Sequence, residues 1–402
     1  CIRDSFKITH NNKDSLERAV SEIKKAEELY SLESRTFLES TGIYHFPLFC
    51  YLVDCGFNAS IINPIITHST KNGNIRKVKN DKIDSKGIAK LGLSKDIPVS
   101  QFPAKLVLEL RSLTRKYYDL TDERSAHINK LKGDLHTVFP QYLDVFCDVT
   151  GKTSTMILRQ YGTPDKILRG HKKTMIEKIS KASRKGLAKA SERYEKLCAA
   201  ANAAKTFGCQ IDSIYFNIFL TLDLVEKLDS ALDSILNRIR QLITFNKNEK
   251  FIQQIKLLNT IPGVGFLTAV TIMCEIGDFS AFRNPKQLFA YFGLDPEVNE
   301  SGKFVGTQLH MSKRGSRIAR RAIFAVALAS IRTKRNGEGI NPYLRKYYEL
   351  KSGQKPKMVA IGAVMHKVCN IVFAVLRDEK AFELRSPEEH CKQYQRPALA
   401  AA

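Results

Sequence analysis

The sequence predicts an α/β segment over its first hundred residues, followed by a mostly α-helical chain. At the start, short apolar runs alternate with amphipathic helical patterns, which is typical of α/β proteins. The middle shows long helical periodicity without strand patterns. With 402 residues, 43% of them hydrophobic and 26% charged, the chain has the composition of a globular protein with two or three domains.

The elements of the first hundred residues follow from local patterns. Apolar residues recur at helical spacing after a cluster of N-capping residues, and two short apolar runs have the length of strands. A polar, basic segment with an Asn-Gly pair predicts an exposed loop over residues 67–80. The pattern predicts helices over residues 12–30, 44–55 and 81–93, and strands over 36–38 and 59–62.

Long helices are predicted for the middle of the chain. Their spans are 105–139, which Pro140 ends, 174–205 and 217–245. The last of these carries apolar residues in a near-heptad run, which suits a coiled coil or a long helical hairpin. Such an arm either dimerises or packs against another part of the same chain.

Glycines separate short helices and turns from about residue 256 to 335, and a helical tail with a basic entrance follows. The predicted organisation is an α/β domain at 1–100, a helical arm at 101–250, a glycine-rich module at 251–338 and a basic helical tail at 339–402.

The charge of the chain indicates which class of partner it binds. The chain has 64 Lys and Arg against 41 Asp and Glu, a formal net charge of +23. Two basic blocks, at 171–190 and 301–337, stand out, and together with the net charge they favour binding to nucleic acid. Ribosome association and nonspecific surface charge are the alternatives.

The sequence excludes three classes of protein: membrane-spanning proteins, secreted proteins and disulfide scaffolds. The most apolar window, 358–376, is interrupted by His366, Lys367 and Asn370, so no membrane span is predicted. The chain starts at Cys1 without a secretory pattern. Its nine cysteines lack the dense spacing of a disulfide scaffold or zinc site, which favours free thiols in a reducing cytoplasm.

The first candidate site is a set of carboxylates. Glu39 ends an apolar run, while Asp81 and Asp84 lie at the start of a predicted helix. Residues three apart share a helix face, and two adjacent carboxylates need a cation or a shared proton. Hard oxygen ligands suit Mg²⁺. Alternatively, Asp81 caps the helix and Asp84 stabilises its first turn.

The second candidate is a helix-hairpin-helix-like segment, Ile-Pro-Gly-Val-Gly at 261–265, between two apolar helical patterns. Gly263 and Gly265 permit a tight turn, and the amides that open the next helix can bind a phosphate. An ordinary helix–helix turn explains the pattern equally well.

The third candidate is Ser301, which precedes a glycine in a predicted flexible turn. A serine there could attack a phosphodiester if cations stabilise the developing charge. An ordinary turn is the alternative for the serine, and a solvated surface is the alternative for the cations. The basic residues predicted to line a nucleic-acid track are Lys303, Lys313, Arg314, Arg317, Arg320 and Arg321.

These motifs occur in an order that resembles the DEDD insertion-sequence transposases related to the Piv DNA invertase. The amino-terminal match is Glu-Ser-Thr-Gly-Ile-Tyr at 39–44, Asn-Pro at 63–64 and Lys-Asn-Asp-Lys-Ile-Asp-Ser at 79–85. The carboxy-terminal match comprises the motifs at 261–269, 275–279, 291–296, 301–302 and 312–316.

The resemblance implies a RuvC-like domain with a ribonuclease-H-type core, whose Mg²⁺-binding acids fall here on Glu39, Asp81 and Asp84. It also implies a transposase domain around 250–335, with Ser301 as the covalent nucleophile on DNA. In that family the two sites pair across subunits and a structured bridge RNA guides the better-known members. We therefore expect a homo-oligomer, a dimer or tetramer, which acts on DNA in the nucleoid of a prokaryotic cytoplasm.

The chain departs from the family pattern at one acidic position. In the family, the first metal-binding Asp lies on an opening strand, well before the Glu that corresponds here to Glu39. Asp4 lacks the Gly-x-Asp context of that strand, so the chain is expected to be truncated at its start and to lack one metal ligand. Independent catalytic activity is then in question. The alternative functions are a metal-dependent junction nuclease of RuvC type and an inactive nucleic-acid-binding remnant.

Overall fold

The computed structural model describes residues 6–9, 12–39, 44–62, 81–94, 105–297, 300–301, 304–305, 310–386 and 388–389. Over these ranges the protein is mostly helical, with one pair of parallel strands and one pair of antiparallel strands. It divides into two compact units, residues 1–104 and 105–402.

The amino-terminal unit confirms the predicted alternation of helices and strands. Its predicted helices and strands are all present, with ends within about two residues of the predicted ones, whereas the predicted loop at 67–80 lies outside the described residues. The elements are α1 (Lys13–Tyr30), β1 (Arg35–Glu39), α2 (His45–Asp54), β2 (Asn58–Ile62) and α3 (Asp81–Ser94).

Capping and burial explain these elements. The side chain of Asn12 accepts a hydrogen bond from the Ser15 amide at 3.0 Å and so starts α1. Strands β1 and β2 are parallel, with Glu39 opposite Ile62, and the buried core lies where α2 covers them. Helix α3 packs on β1, and a Cβ added to Gly92 would lie 2.3 Å from the Phe37 ring.

The carboxy-terminal unit is almost entirely helical. A long helical hairpin with a smaller helical bundle at one end leads into a second bundle that contains most of the buried residues. Its helices are α4 (Lys105–Val138), α5 (Tyr142–Val145), α6 (Lys152–Gln160), α7 (Pro164–Arg169), α8 (Lys172–Ser183), α9 (Leu187–Phe207), α10 (Asp212–Phe245), α11 (Lys250–Leu258), α12 (Phe266–Ile276), α13 (Pro285–Tyr291), α14 (Arg317–Ser330), α15 (Pro342–Ser352) and α16 (Lys357–Asp378).

Helices α4 and α10 form the arm, and each is 34 residues long. They pack along each other in opposite directions, because Leu110 and Ile239 share one core while Leu131 and Tyr215 share another. The Arg124 guanidinium forms an ion pair with Asp229 across the hairpin. The later part of the near-heptad run of α10, Leu232, Ile239 and Ile243, is buried within the same chain, whereas Leu220 and Leu224 of the earlier part are exposed.

The head of the arm comprises α5–α9, residues 142–207, and has its own buried core. The prediction of one continuous helix over 174–205 is wrong, because Arg184 is left-handed with φ of 52° and ends α8. Helix α9 then turns back onto α8, so that Ile179 and Leu197 are buried in the same core.

The bundle at 250–386 is here called the C-terminal core. The first turns of α4 and the last turns of α10 also pack into it. Helix α12 is buried over its last eight residues and packs against α4 and α14. Helices α15 and α16, in the predicted tail, contribute Leu344, Val364 and Val368 to the same core. Among the described residues α16 alone is long and apolar enough to span a membrane, and 56% of its apolar window is buried inside the protein.

Candidate active-site and nucleic-acid surfaces

The predicted metal-binding acids lie in the amino-terminal unit. Glu39 is the last residue of β1, and Asp84 lies in the first turn of α3, which packs on that strand. Both side chains are partly buried. Asp81 is the first residue of α3, and its side chain lies outside the described residues.

The donor chemistry of these residues fits Mg²⁺, which prefers carboxylate oxygens. Glu39 stands at the carboxyl end of a parallel strand, the edge at which α/β sheets bind ligands. Within the residues that the structure describes, three or more potential metal ligands do not meet. The three-residue site therefore stays a prediction that depends on the side chain of Asp81.

Ser301 lies near the tip of a two-stranded ribbon. It ends strand β3 (Glu300–Ser301), which pairs antiparallel with β4 (Phe304–Val305), and residues 302–303 join the two. Ser301 therefore belongs to a strand, and the predicted turn after it lies outside the described residues. The side chain of Ser301 and the whole of Lys303 lie outside the described residues.

Hydrogen bonds continue the ribbon towards its base. The Glu297 amide donates to the His310 carbonyl at 2.8 Å, and Pro296 bridges to Met311. At the base, Ser312 donates from its amide to the Asp295 carbonyl at 2.8 Å and from Oγ to the Asp295 carboxylate at 2.6 Å. Both strands of the ribbon are thereby joined where they leave the C-terminal core.

Two glycines explain how the base is built. Gly293 has φ of 66°, and its carbonyl accepts a hydrogen bond from the Lys313 amide at 3.0 Å. A Cβ on Gly315 would lie 2.0 Å from the Tyr291 carbonyl oxygen. The loops at 291–295 and 312–316 therefore touch backbone to backbone, which only glycine allows.

The predicted basic residues fall into two groups. Lys313, Arg314 and Arg317 are exposed, with 83% of the Arg317 side chain accessible. Arg320 donates to the Gly315 carbonyl at 2.7 Å and to the Phe292 carbonyl at 3.2 Å. Because it is partly removed from solvent, burial lowers its pKa.

Arg321, the last predicted basic residue, faces the arm. Its guanidinium is 2.7 Å from the Asp122 carboxylate and 4.8 Å from the Tyr118 ring centroid, and Arg317 also reaches Asp122 at 3.5 Å. Arg320 and Arg321 thus have protein partners that hold α14 in place. A role in nucleic-acid binding stays a prediction for all five of these described residues.

The predicted helix-hairpin-helix-like segment forms a turn between α11 and α12. Gly263 has φ of 97°, and a Cβ there would lie 2.5 Å from Ser330 Oγ, which donates to the Pro262 carbonyl at 3.0 Å. Packing against α14 therefore accounts for this glycine. Gly265 is exposed and caps α12. Phosphate binding by the turn stays a prediction.

A buried ion pair was not predicted from the sequence. Glu275 is 3% exposed and accepts two hydrogen bonds from Arg115, at 2.9 and 3.0 Å. Burial raises the pKa of this carboxyl, but hydrogen bonds from Arg115 and Ser316 outweigh it and the net pKa is lowered. Arg111 and Tyr291 donate to the neighbouring carbonyls of Cys274 and Glu275.

This ion pair ties three segments together: α4 through Arg115, α12 through Glu275, and the start of α14 through Ser316. Since Ser316 ends the 312–316 loop and caps α14, the pair supports the base of the ribbon. The motif at 275–279 contains Glu275 and was the sequence signal for this site. It could not indicate the partner, because Arg115 lies 160 residues earlier in the chain.

Comparison with known families finds two matching segments of the chain. Residues 3–140 match the family of DEDD transposases of IS110 type, and residues 255–349 match the transposase IS116/IS110/IS902 family. The chain belongs to the IS110/IS116 family of transposases. The first segment contains Glu39, Asp81 and Asp84, and the second contains Ser301.

Individual IS110/IS116 relatives are distant. The chain is 23% identical to the insertion element IS110 uncharacterized 43.6 kDa protein of Streptomyces coelicolor, over 70% of this chain and 66% of that protein. It is 30% identical to the pilin gene-inverting protein of Moraxella bovis, over 44% of this chain and 52% of that protein. It is 26% identical to the transposase for insertion sequence element IS1111A of Coxiella burnetii, over 45% of this chain and 50% of that protein. The chain thus spans half to two thirds of these relatives.

Proposed function

We propose that this IS110/IS116-family protein is a DNA recombinase with Ser301 as its nucleophile and a Mg²⁺ site formed by Glu39, Asp81 and Asp84. The order of the two matched segments supports the proposal, because one carries the acids and the other the serine. The observation that carries it is the position of Ser301 beside the tip of a ribbon with a tightly packed base.

The serine chemistry balances without an external energy source. Attack by Ser301 Oγ on a DNA phosphorus forms a phosphoserine ester, and the serine gives up its proton. The bond from phosphorus to one deoxyribose oxygen breaks, and that oxygen leaves as a hydroxyl. Attack by a hydroxyl of another strand reverses the step, rejoins DNA and frees the serine. The energy of the phosphodiester bond is conserved throughout.

The acidic residues act as holders of the metal in this proposal. Asp81 and Asp84 lie three residues apart at the start of α3, a spacing that puts two residues on one helix face, where paired carboxylates would favour a cation between them. When bound, Mg²⁺ would neutralise charge on the phosphate oxygens during attack. Glu39 would complete the set from the end of β1.

The proposed partners follow from charge and from the family resemblance. The exposed Lys313, Arg314 and Arg317 flank the base of the ribbon, where they can neutralise phosphates of bound DNA. We further propose that a structured bridge RNA selects the target, that two or more copies combine acidic and serine sites into one centre, and that the protein acts in the nucleoid of a prokaryote.

The proposal predicts a covalent protein–DNA adduct. The purified protein is incubated with RNA transcribed from its own element, Mg²⁺ and labelled DNA that carries the ends of that element, and the products are separated on a denaturing gel. The wild-type chain is expected to give a labelled protein band. Ser301→Ala is expected to abolish it, because alanine has no oxygen to attack phosphorus.

Ser312→Ala is the matched control, since Ser312 lies at the base of the same ribbon and is bonded to Asp295. It is expected to retain the adduct. An adduct that survives Ser301→Ala but disappears in Ser312→Ala would transfer the nucleophile to Ser312. Cleavage without any adduct would instead show a metal-dependent nuclease, and binding without cleavage an inactive remnant.

A further inference from the structure

The head of the arm lies between the two segments that the family models match, which end at residue 140 and resume at 255. Its second half is strongly basic. Residues 171–210 contain ten Lys or Arg and three Glu, and no Asp. A surface this cationic is costly to fold unless a polyanion neutralises it.

Four of these basic residues line a cavity between α8 and the start of α9. Its volume is about 220 Å³, which is ample for a phosphate group. Ile179 and Val145 provide an apolar floor. The charged residues of its wall are four cations and two carboxylates, namely Lys185, Lys189, Arg193, Lys196, Asp144 and Glu192.

The cavity retains an excess of positive charge. Lys196 is neutralised by Glu192 at 2.8 Å, and this contact lowers the pKa of the Glu192 carboxyl, which therefore stays ionised. Among the described residues, Lys185, Lys189 and Arg193 form no ion pair with a carboxylate. Lys189 and Arg193 are four residues apart on α9, a spacing at which like charges repel. A bound anion would relieve that repulsion.

The wall of the cavity is held in place by the fold of the head. The guanidinium of Arg193 lies 5.6 Å from the centroid of the Phe146 ring. Left-handed Arg184 reverses the chain, and Ser180 Oγ donates to the Lys185 carbonyl at 2.7 Å across that turn. The Arg193 guanidinium and the backbone of Lys185 are therefore held before any ligand arrives, which lowers the entropic cost of binding.

The arm sets the distance between the head and the C-terminal core. Leu110 of α4 is buried in that core, and Leu131 of the same helix is buried in the head. At about 1.5 Å per residue, these 21 residues span roughly 31 Å, close to one turn of B-DNA at about 34 Å. One straight duplex can therefore reach both bundles.

We propose that the head is a second DNA-binding surface, and that the cavity formed by Lys185, Lys189 and Arg193 takes a backbone phosphate of the substrate duplex about one helical turn from the DNA at the C-terminal core. The inference rests on the proposed function only in taking DNA as the substrate. It requires neither Ser301 chemistry nor a metal.

The test measures duplex DNA binding by the full chain without Mg²⁺, over a salt series. Lys185→Gln with Lys189→Gln is expected to weaken binding about tenfold near 0.15 M salt and to reduce the salt slope by about one, because the cavity neutralises one phosphate. In nuclease protection, the footprint is expected to shorten by about one helical turn.

The matched control is Lys173→Gln with Lys181→Gln, which removes the same charge from α8 outside the cavity. It is expected to change the affinity less than threefold and to leave the footprint length unchanged. Equal losses in both pairs would overturn the cavity as a phosphate site. Unchanged DNA binding with selective loss of binding to an RNA hairpin would overturn DNA as its ligand. Because no cleavage is measured, the result is independent of the adduct experiment.

Discussion

Glu275 shows how a single residue organises the site. Its carboxylate is 3% exposed, and removing such a group from water is unfavourable unless it is paired and hydrogen-bonded. Arg115 supplies two hydrogen bonds from α4. The pair therefore fixes the position of the arm relative to α12, and it does so beside the loop that carries the ribbon.

Glu275→Gln is expected to lower the free energy of unfolding at pH 7 by about 2–4 kcal/mol, because Arg115 loses its counter-charge and the amide cannot accept both hydrogen bonds. Urea unfolding of the full chain measures this. Glu349→Gln, which breaks the exposed pair with Arg345, is the control and is expected to cost at most about 0.5 kcal/mol.

The pH dependence of the same pair has a defined sign. The folded pKa of Glu275 is lowered below 4.5, so its stabilisation is fully present above about pH 4.5 and is lost as the pH falls through the folded pKa. The difference in stability between the wild-type chain and Glu275→Gln should therefore shrink below pH 4.5. A constant difference down to pH 3 would contradict an ionised, paired Glu275.

At the scale of elements, the base of the ribbon depends on two loops that meet through glycine. Gly315→Ala would place a Cβ 2.0 Å from the Tyr291 carbonyl oxygen, against backbone that is fixed by further hydrogen bonds. We expect a loss of at least about 3 kcal/mol in thermal or urea unfolding, since backbone atoms must move.

Gly362→Ala is the matched control for that substitution. Gly362 lies within α16, and a Cβ there would meet nothing within 4 Å. Alanine is expected to raise stability by about 0.5–1 kcal/mol through helix propensity. Similar effects at the two positions would mean that the loops at 291–295 and 312–316 do not touch as described.

At the scale of the whole molecule, the C-terminal core extends beyond the predicted glycine-rich module, which ends at residue 338. Buried residues of α16 pack against α11, α13 and α14, and α15 packs on α16. A chain that ends at residue 338 is therefore expected to lose cooperative thermal unfolding of its carboxy-terminal unit, as measured by circular dichroism.

A chain that ends at residue 386 is the comparison, because the described core residues all precede that position. It is expected to unfold cooperatively near the temperature of the full chain. Cooperative unfolding of the shorter chain at the same temperature would show that α15 and α16 are dispensable for the core.

Local signals made much of the fold predictable from the sequence. The Asn12 cap, the apolar runs of β1 and β2, and Pro140 at the end of α4 act over a few residues, so the elements that they bound were predicted closely. The break at Arg184 was missed although Gly186 follows two residues later, because a single glycine within a helical pattern does not by itself end a helix. It forms because α9 buries more apolar surface by folding back onto α8.

The sequence by itself determined the family, the order of its motifs and most helix and strand boundaries, since these depend on residues close together in the chain. Only the tertiary structure paired Glu275 with Arg115, assigned Arg320 and Arg321 to protein partners, and gathered the cations of the head around one cavity. These outcomes depend on contacts between residues far apart in the sequence. Such contacts exist only after helices have packed, because burial and charge pairing are properties of the assembled core.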